Sequence, residues 1–204
     1  MPRPNRKAER RLAILDAARR VAVREGAEGT TLRAVATAAD MEPSAVLYYF
    51  TGLSEIVREL VYAASDRFID TISRAVAEAS TPGQRLTAAI EAGSTGGLEG
   101  DESRILYEFW PAGLRDESLN DADHALDRRQ VEIYVGILDD GVAAGVFHPR
   151  IQVTEVAWAL VALEDGLVMD ILAGTKTHGE VTALIRSVAA ALLDVSLPAP
   201  GGDA

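Results

Sequence analysis

Between Ser54 and Ala79 apolar residues recur at every fourth position: Ile56, Leu60, Ala64, Phe68, Ile72 and Val76. No other feature constrains the chain so strongly. A spacing of four gathers side chains on one face of an α-helix, whereas a half-buried strand needs alternation at a spacing of two. Arg58, Glu59, Asp66, Arg67, Asp70, Arg74 and Glu78 mostly occupy the other sides. At 1.5 Å per residue such a helix is about 39 Å long. That exceeds what a small helical head can cover, so the helix must run on into the rest of the protein and link its halves mechanically.

The remaining segments also read as helices. Arg6 to Glu25 puts Ile14, Leu15, Ala18, Val21 and Ala22 on one face and stops at Gly26. Thr30 and Thr31 can cap a second helix, Leu32 to Ala39. Asp40-Met41-Glu42 is a tight turn, and Pro43 opens a third helix running to about Phe50, at a position where a missing N–H costs nothing. Beyond the long helix, another starts at Thr81-Pro82 and ends near Gly93, and the glycine-rich stretch 93–100 is a loop. Further helices are expected at about 102–114, 119–144, 154–173 and 177–195, with a disordered tail over 198–204. Sustained strand alternation and internal repeats are both missing. The expected class is all-α, with domains at 1–53 and 54–197.

The 204 residues can bury a core of their own, so the absence of cysteine is no handicap. It excludes a disulfide scaffold, a cysteine zinc site and a thiol nucleophile. Neither a signal peptide nor a bilayer-length apolar run is evident, the longest being Val156 to Leu163. A soluble, cytoplasmic protein with no membrane partner is expected. The net charge of −11 is unevenly spread: residues 1–58 carry 10 basic and 7 acidic side chains, residues 59–204 carry 10 and 24. A basic head on an acidic body is the pattern of a chain whose head alone meets a polyanion, although a mixed-charge helix in solvent gives the same balance.

Three short helices with a tight turn between the second and third form a helix-turn-helix arrangement, whose third helix is free to enter a DNA major groove. The string itself is more specific: Ile14-Leu15-Asp16-Ala17-Ala18, Gly26, Thr30-Thr31-Leu32-Arg33-Ala34-Val35-Ala36, then Ala38 through Phe50. Over about residues 8–60 it resembles the TetR family of bacterial transcriptional regulators, in order and in spacing. The resemblance implies a small core of Leu15, Ala18, Leu32, Val35, Met41, Val46 and Phe50 that sets the angle of the recognition helix. Thr31 and Arg33 would meet phosphate at the start of the second helix. Ser44, Ala45, Tyr48 and Tyr49 would face DNA, with Ala45 small enough to touch a thymine methyl. The alternative is that the two tyrosines only pack the head; DNA contact is the expectation. Arg3 and Arg6, with Lys7, would form an arm along the backbone or in the minor groove.

Three positions depart from the family pattern. Asp40 stands in the turn where glycine is usual, and Asp tolerates a left-handed turn better than most residues. Leu47 stands where the recognition helix usually has tyrosine, and Leu53 where a phosphate-contacting lysine usually follows it. Both put backbone contacts in question.

In the acidic body, Val156 to Leu172 has 13 apolar residues, interrupted by Glu164, Asp165, Gly166 and Asp170. So apolar a helix needs cover on both sides. The family implies that the last two helices pair with their copies across a two-fold axis, here through Trp158, Asp165, Gly166, Leu184 and Val188, giving a homodimer matched to a palindromic operator. Residues 106–119 and 137–147 resemble the betaine-responsive branch. Phe68, Tyr107, Phe109, Trp110, Tyr134, Leu138 and Glu164 are the expected small-molecule contacts, while the aromatics can also serve as plain core. Glu108 or Glu164 can attract a cationic ligand, lie at the surface or cap an arginine.

Catalysis finds no support. His124, His148 and His178 lie far apart, and neither a phosphate loop nor a nucleophile elbow is present. Asp121, His124 and Asp127 can share a helical face, which is far more often a solvated charged face than a metal site. No cofactor is implied. The expected function is a ligand-responsive DNA-binding regulator, a repressor, in which effector binding tilts the long helix and changes the spacing of the two heads. The rival is a helical module that binds a small molecule or a protein and no longer binds DNA.

Overall fold

A computed structural model describes residues 6–95 and 101–197. Arg3, part of the glycine-rich stretch and the tail at 198–204 lie outside the described residues. Among the described residues there are nine helices and no strand. They are α1 (Arg6–Gly29), α2 (Leu32–Ala38), α3 (Pro43–Val46), α4 (Leu53–Glu78), α5 (Pro82–Thr95), α6 (Asp101–Gly113), α7 (Glu117–Ala143), α8 (Val153–Leu172) and α9 (His178–Leu193). The chain packs as two compact units, one joining Met1–Asp66 with Asp101–Asp123, the other joining Arg67–Gly100 with His124–Ala204.

In the first unit α1 is broken at Gly26, whose φ of 70° and ψ of −172° lie outside the helical region. Glycine is needed there twice over: for the backbone angle, and because a β-carbon would lie 2.8 Å from Glu108 Oε2. Thr30 Oγ1 donates to the Gly26 carbonyl at 2.7 Å and secures the bend. Thr31 caps α2 by accepting from Ala34 N at 3.1 Å. Asp40 adopts the left-handed conformation, φ 54°, that the turn requires. The regular part of α3 is shorter than the expected run to Phe50. Past Val46 the bonds tighten to three-residue spacing, Tyr48 N to the Ala45 carbonyl and Tyr49 N to the Val46 carbonyl, so the helical path continues as turn.

The core of this unit draws on more than residues 1–53. Ile14, Ala18, Val35, Ala36, Val46 and Phe50 pack with Ile56, Leu60 and Ala64 of α4, Ile105 and Phe109 of α6, and Leu119 of α7. Arg19 ties α1 to the start of α6 through Asp101 at 2.7 Å and Glu102 at 3.2 Å. Glu108 accepts from Ala27 N at 3.1 Å just past the Gly26 bend. Packing therefore groups the first turns of α4, all of α6 and the start of α7 with the motif.

The second unit is built on Phe68 and Ile72 of α4, on α5, on the later turns of α7, and on α8 and α9. Helices α5, α8 and α9 pack on one another. Thr177 and Glu180 form a reciprocal capping box at the start of α9. Gly141 lets the Phe147 ring lie directly on α7, where any β-carbon would overlap the ring. Among the described residues no helix is long and apolar enough to cross a membrane.

Candidate DNA-reading face and buried carboxyl

The outward side of α3 is assembled by helical spacing. Ser44 and Tyr48 are four residues apart and both exposed, Tyr48 at 74%. The Tyr48 ring is held edge-on by Tyr49, centroids 5.1 Å apart at 88°, and the Lys7 ammonium stands 5.9 Å above it. That brings the basic start of α1, where Arg6 is exposed, to the side of the recognition helix. Arg33 is exposed beside the Thr31 cap. Ala45 and Tyr49 are half-buried, and Tyr49 packs partly against the core.

A junction that the sequence alone did not reveal fixes the far end of α3. The Arg11 guanidinium donates to the Tyr49 carbonyl, pairs with Glu59 and with Glu55 at 3.0 Å, and lies 4.0 Å above the Phe50 ring. Glu55 also accepts from Thr51 N at 2.6 Å and from Thr51 Oγ1 at 2.9 Å. These bonds, those from Thr51 first and the Arg11 pair after them, pull its carboxyl down from 4.5 to about 2. The signal in the sequence is the Arg11 stem, which lies three residues before Ile14 and so near the core face of α1.

The expected small-molecule contacts divide between the units. Tyr107, Phe109 and Trp110 belong to the first. Phe109 lies in the head core, Tyr107 is half-buried, and Trp110 is 48% exposed with its indole N–H donating to Asp123 at 3.1 Å. The Glu108 carboxylate is engaged with the α1 main chain at the bend. Phe68, Tyr134, Leu138 and Glu164 are all buried in the second unit.

Glu164 is the chemical centre of that unit. It is 1% exposed on α8, accepts a bond from the Tyr134 hydroxyl, and accepts another from Gln130 Nε2 at 2.5 Å. Gln130 and Tyr134 are one turn apart on α7, a pairing visible only once the two helices meet. Gly93 of α5 covers the carboxyl so closely that a β-carbon there would lie 2.8 Å from Oε2. Burial raises the Glu164 pKa well above the usual carboxyl range, and the neighbouring Asp165 adds to the rise; the Tyr134 and Gln130 bonds oppose it. The Tyr134 hydroxyl is likewise pushed up, by burial first and by Glu164 second.

On the other side of α8, Trp158, Asp165 and Gly166 are exposed, Trp158 at 47%, and on α9 Leu184 is exposed and Val188 half-buried. No group of three or more His, Asp or Glu side chains among the described residues is placed to hold a metal ion.

Comparison with known proteins places these features. Residues 14–60 match the family described as bacterial regulatory proteins, tetR family, and residues 82–194 match that described as BetI-type transcriptional repressor, C-terminal. The chain is 29% identical over 171 residues to the HTH-type transcriptional regulator BetI of Burkholderia lata, covering 82% of this chain and 84% of that one. It is 25% identical over 154 residues to the HTH-type transcriptional repressor KstR2 of Mycolicibacterium smegmatis, covering 74% and 73%. Its fold matches that of a transcriptional regulator from Saccharomonospora viridis solved in complex with choline, at a TM-score of 0.80 and 21% identity, covering 88% and 95%. It also matches FadR from Bacillus subtilis in complex with stearoyl-CoA, at a TM-score of 0.69 and 20% identity, covering 89% and 97%. This chain belongs to the TetR family of DNA-binding transcriptional regulators, with a C-terminal region of the BetI type.

Proposed function

We propose that this chain is a cytoplasmic, effector-responsive repressor that binds a palindromic operator as a homodimer. The observation that carries the reading is the exposed Ser44–Tyr48 side of α3, flanked by Arg33 and by Lys7. Arg6, Lys7, Thr31 and Arg33 supply phosphate contacts that fix register, and Ser44, Ala45 and Tyr48 read base edges.

The dimer is supported by a continuous stripe on α8. Trp158, Ala162, Asp165, Met169 and Leu172 alternate at spacings of four and three, and all are exposed. Leu184, Ser187 and Ala191 repeat the pattern on α9. Two such faces meet across a two-fold axis as four helices. Two heads spaced about 34 Å apart then fit successive turns of a palindrome.

The effector is a small organic cation that engages Glu164. An enclosed carboxyl with one phenol and one amide as partners supports this, as does the choline complex of the fold relative from Saccharomonospora viridis. Effector occupancy would act on α4, which supplies residues to both units, and shift the dimer population away from the operator-competent geometry. The test is binding to duplex DNA from the region upstream of the protein's own gene, titrated with choline and separately with stearoyl-CoA. Release by choline alone supports the reading. Release by stearoyl-CoA alone overturns the cationic effector, and absence of DNA binding under every condition overturns the repressor.

A further inference from the structure

Leu47 is not part of the buried core of the head. Val46 and Phe50 on either side close the core and are buried, whereas the Leu47 side chain is 48% exposed. Its amide donates to the Pro43 carbonyl at 3.1 Å, which keeps it in the register of α3. Lying three residues after Ser44 and one before Tyr48, it stands on their outward side. Tyr48 is held there by the Tyr49 ring and by Lys7. Apart from the small, half-buried Ala45, the side of α3 that faces outward is thus polar except for one large apolar knob between a hydroxyl and a phenol.

Major-groove base edges are donors and acceptors, with a single apolar projection, the C5-methyl of thymine. Leucine can neither donate nor accept. Against cytosine N4 or guanine O6 it would strip water from a polar group and return nothing. Against a thymine methyl it buries carbon on carbon. We infer that Leu47 reads a thymine methyl and makes one thymine per half-site a requirement of the operator. The residue that departs from the family's usual tyrosine is, in this chain, a specificity determinant, exchanging a polar contact for an apolar one. The inference rests on α3 being the helix that enters the major groove.

The test begins with selection of binding sites from randomised duplexes by the intact wild-type protein, by Leu47→Ala and by Leu47→Asn. Each thymine of the wild-type site is then replaced by deoxyuridine, which removes the methyl and nothing else. One symmetric thymine pair is expected to cost the wild type about fourfold in affinity per half-site on losing its methyls. The same replacement should leave Leu47→Ala unaffected. Both variants should lose the thymine preference at that position, keep the rest of the site and keep the wild-type salt dependence. Because the side chain is exposed, melting curves should match the wild type and exclude misfolding. Equal deoxyuridine sensitivity in wild type and Leu47→Ala at every thymine of the site, or none at any thymine, overturns the inference while leaving DNA binding intact. Failure of the wild type to enrich any sequence overturns the DNA-reading assignment and the inference with it.

Discussion

The guanidinium of Arg11, on α1, donates to the main-chain carbonyl of Tyr49, at the exit of the recognition helix. One side chain thereby satisfies a helix-end acceptor, lies over Phe50 and is anchored by two carboxylates of α4. Its planar fork is what permits these contacts at once. Arg11→Ala should lower the unfolding free energy by about 2 kcal/mol, since charge-assisted bonds disappear and the glutamates are left facing each other. Arg11→Lys should recover only part of it. Denaturant titration of the three proteins checks this, and equal stability would show the junction to be incidental.

Glu55 gives the head an acid limit. Its carboxyl is held near 2, against an ordinary value of 4.5, by Thr51 and then Arg11. The folded state therefore binds a proton less readily than the unfolded one. The Glu55 contribution is fully present above about pH 4.5 and is lost as pH falls toward 2. Thermal melts of wild type and Glu55→Gln should differ at pH 7 and converge as the pH falls through this window. A difference that persists at the lowest pH would contradict the assignment.

Glu164 has the opposite sign. With its pKa raised in the folded state, the fold holds the proton more tightly than the unfolded chain does. Stability from this group is present below about pH 4.5 and declines as pH rises toward the folded value, by about 1.4 kcal/mol per pH unit over the interval. Glu164→Gln keeps the shape, and Gln130 can turn its amide to match. This variant should be as stable as the wild type in acid and more stable at pH 8, by denaturant titration. On the proposed reading a cation seated at Glu164 favours the ionised carboxylate, so effector affinity in the wild type should rise with pH. Calorimetry in buffers of different ionisation enthalpy would register the released proton.

Trp158 and Leu184 are large apolar side chains left exposed on adjoining helices. Trp158→Glu should weaken self-association about 30-fold or more, because a charge replaces a central aromatic anchor. Sedimentation velocity over a dilution series measures this, with the variant's helical circular dichroism unchanged. A wild-type monomer at every concentration would remove the dimer.

The helices were legible because each buries one periodic stripe, and periodicity is local. The break at Gly26 and the left-handed Asp40 were legible for the same reason, since each is decided by a residue's own backbone preferences. What could not be read is which stripe meets which. Phe109 and Trp110 look like pocket aromatics in sequence, yet Phe109 joins the head core because Ile105 and Glu108, on the same helix, dock on α1. Glu164 was a candidate site residue, but its partners Gln130 and Tyr134 lie some 30 residues away and carry no shared local pattern. Gly93 shows the same limit. It reads as the end of a helix, and only the approach of α8 reveals that the Glu164 carboxyl occupies the space a side chain would need.

The most direct measurement is fluorescence anisotropy of the purified protein on a selected palindromic duplex and on a scrambled one, at about 50 and 200 mM salt, with Arg33→Ala alongside. Selective binding is expected, with affinity falling steeply as salt rises. Arg33→Ala should weaken both duplexes alike and lower the salt slope by about one for each phosphate that the side chain no longer neutralises. Equal affinity for both duplexes, or a salt slope that Arg33→Ala leaves unchanged, would contradict a head that anchors on phosphate and reads bases through α3.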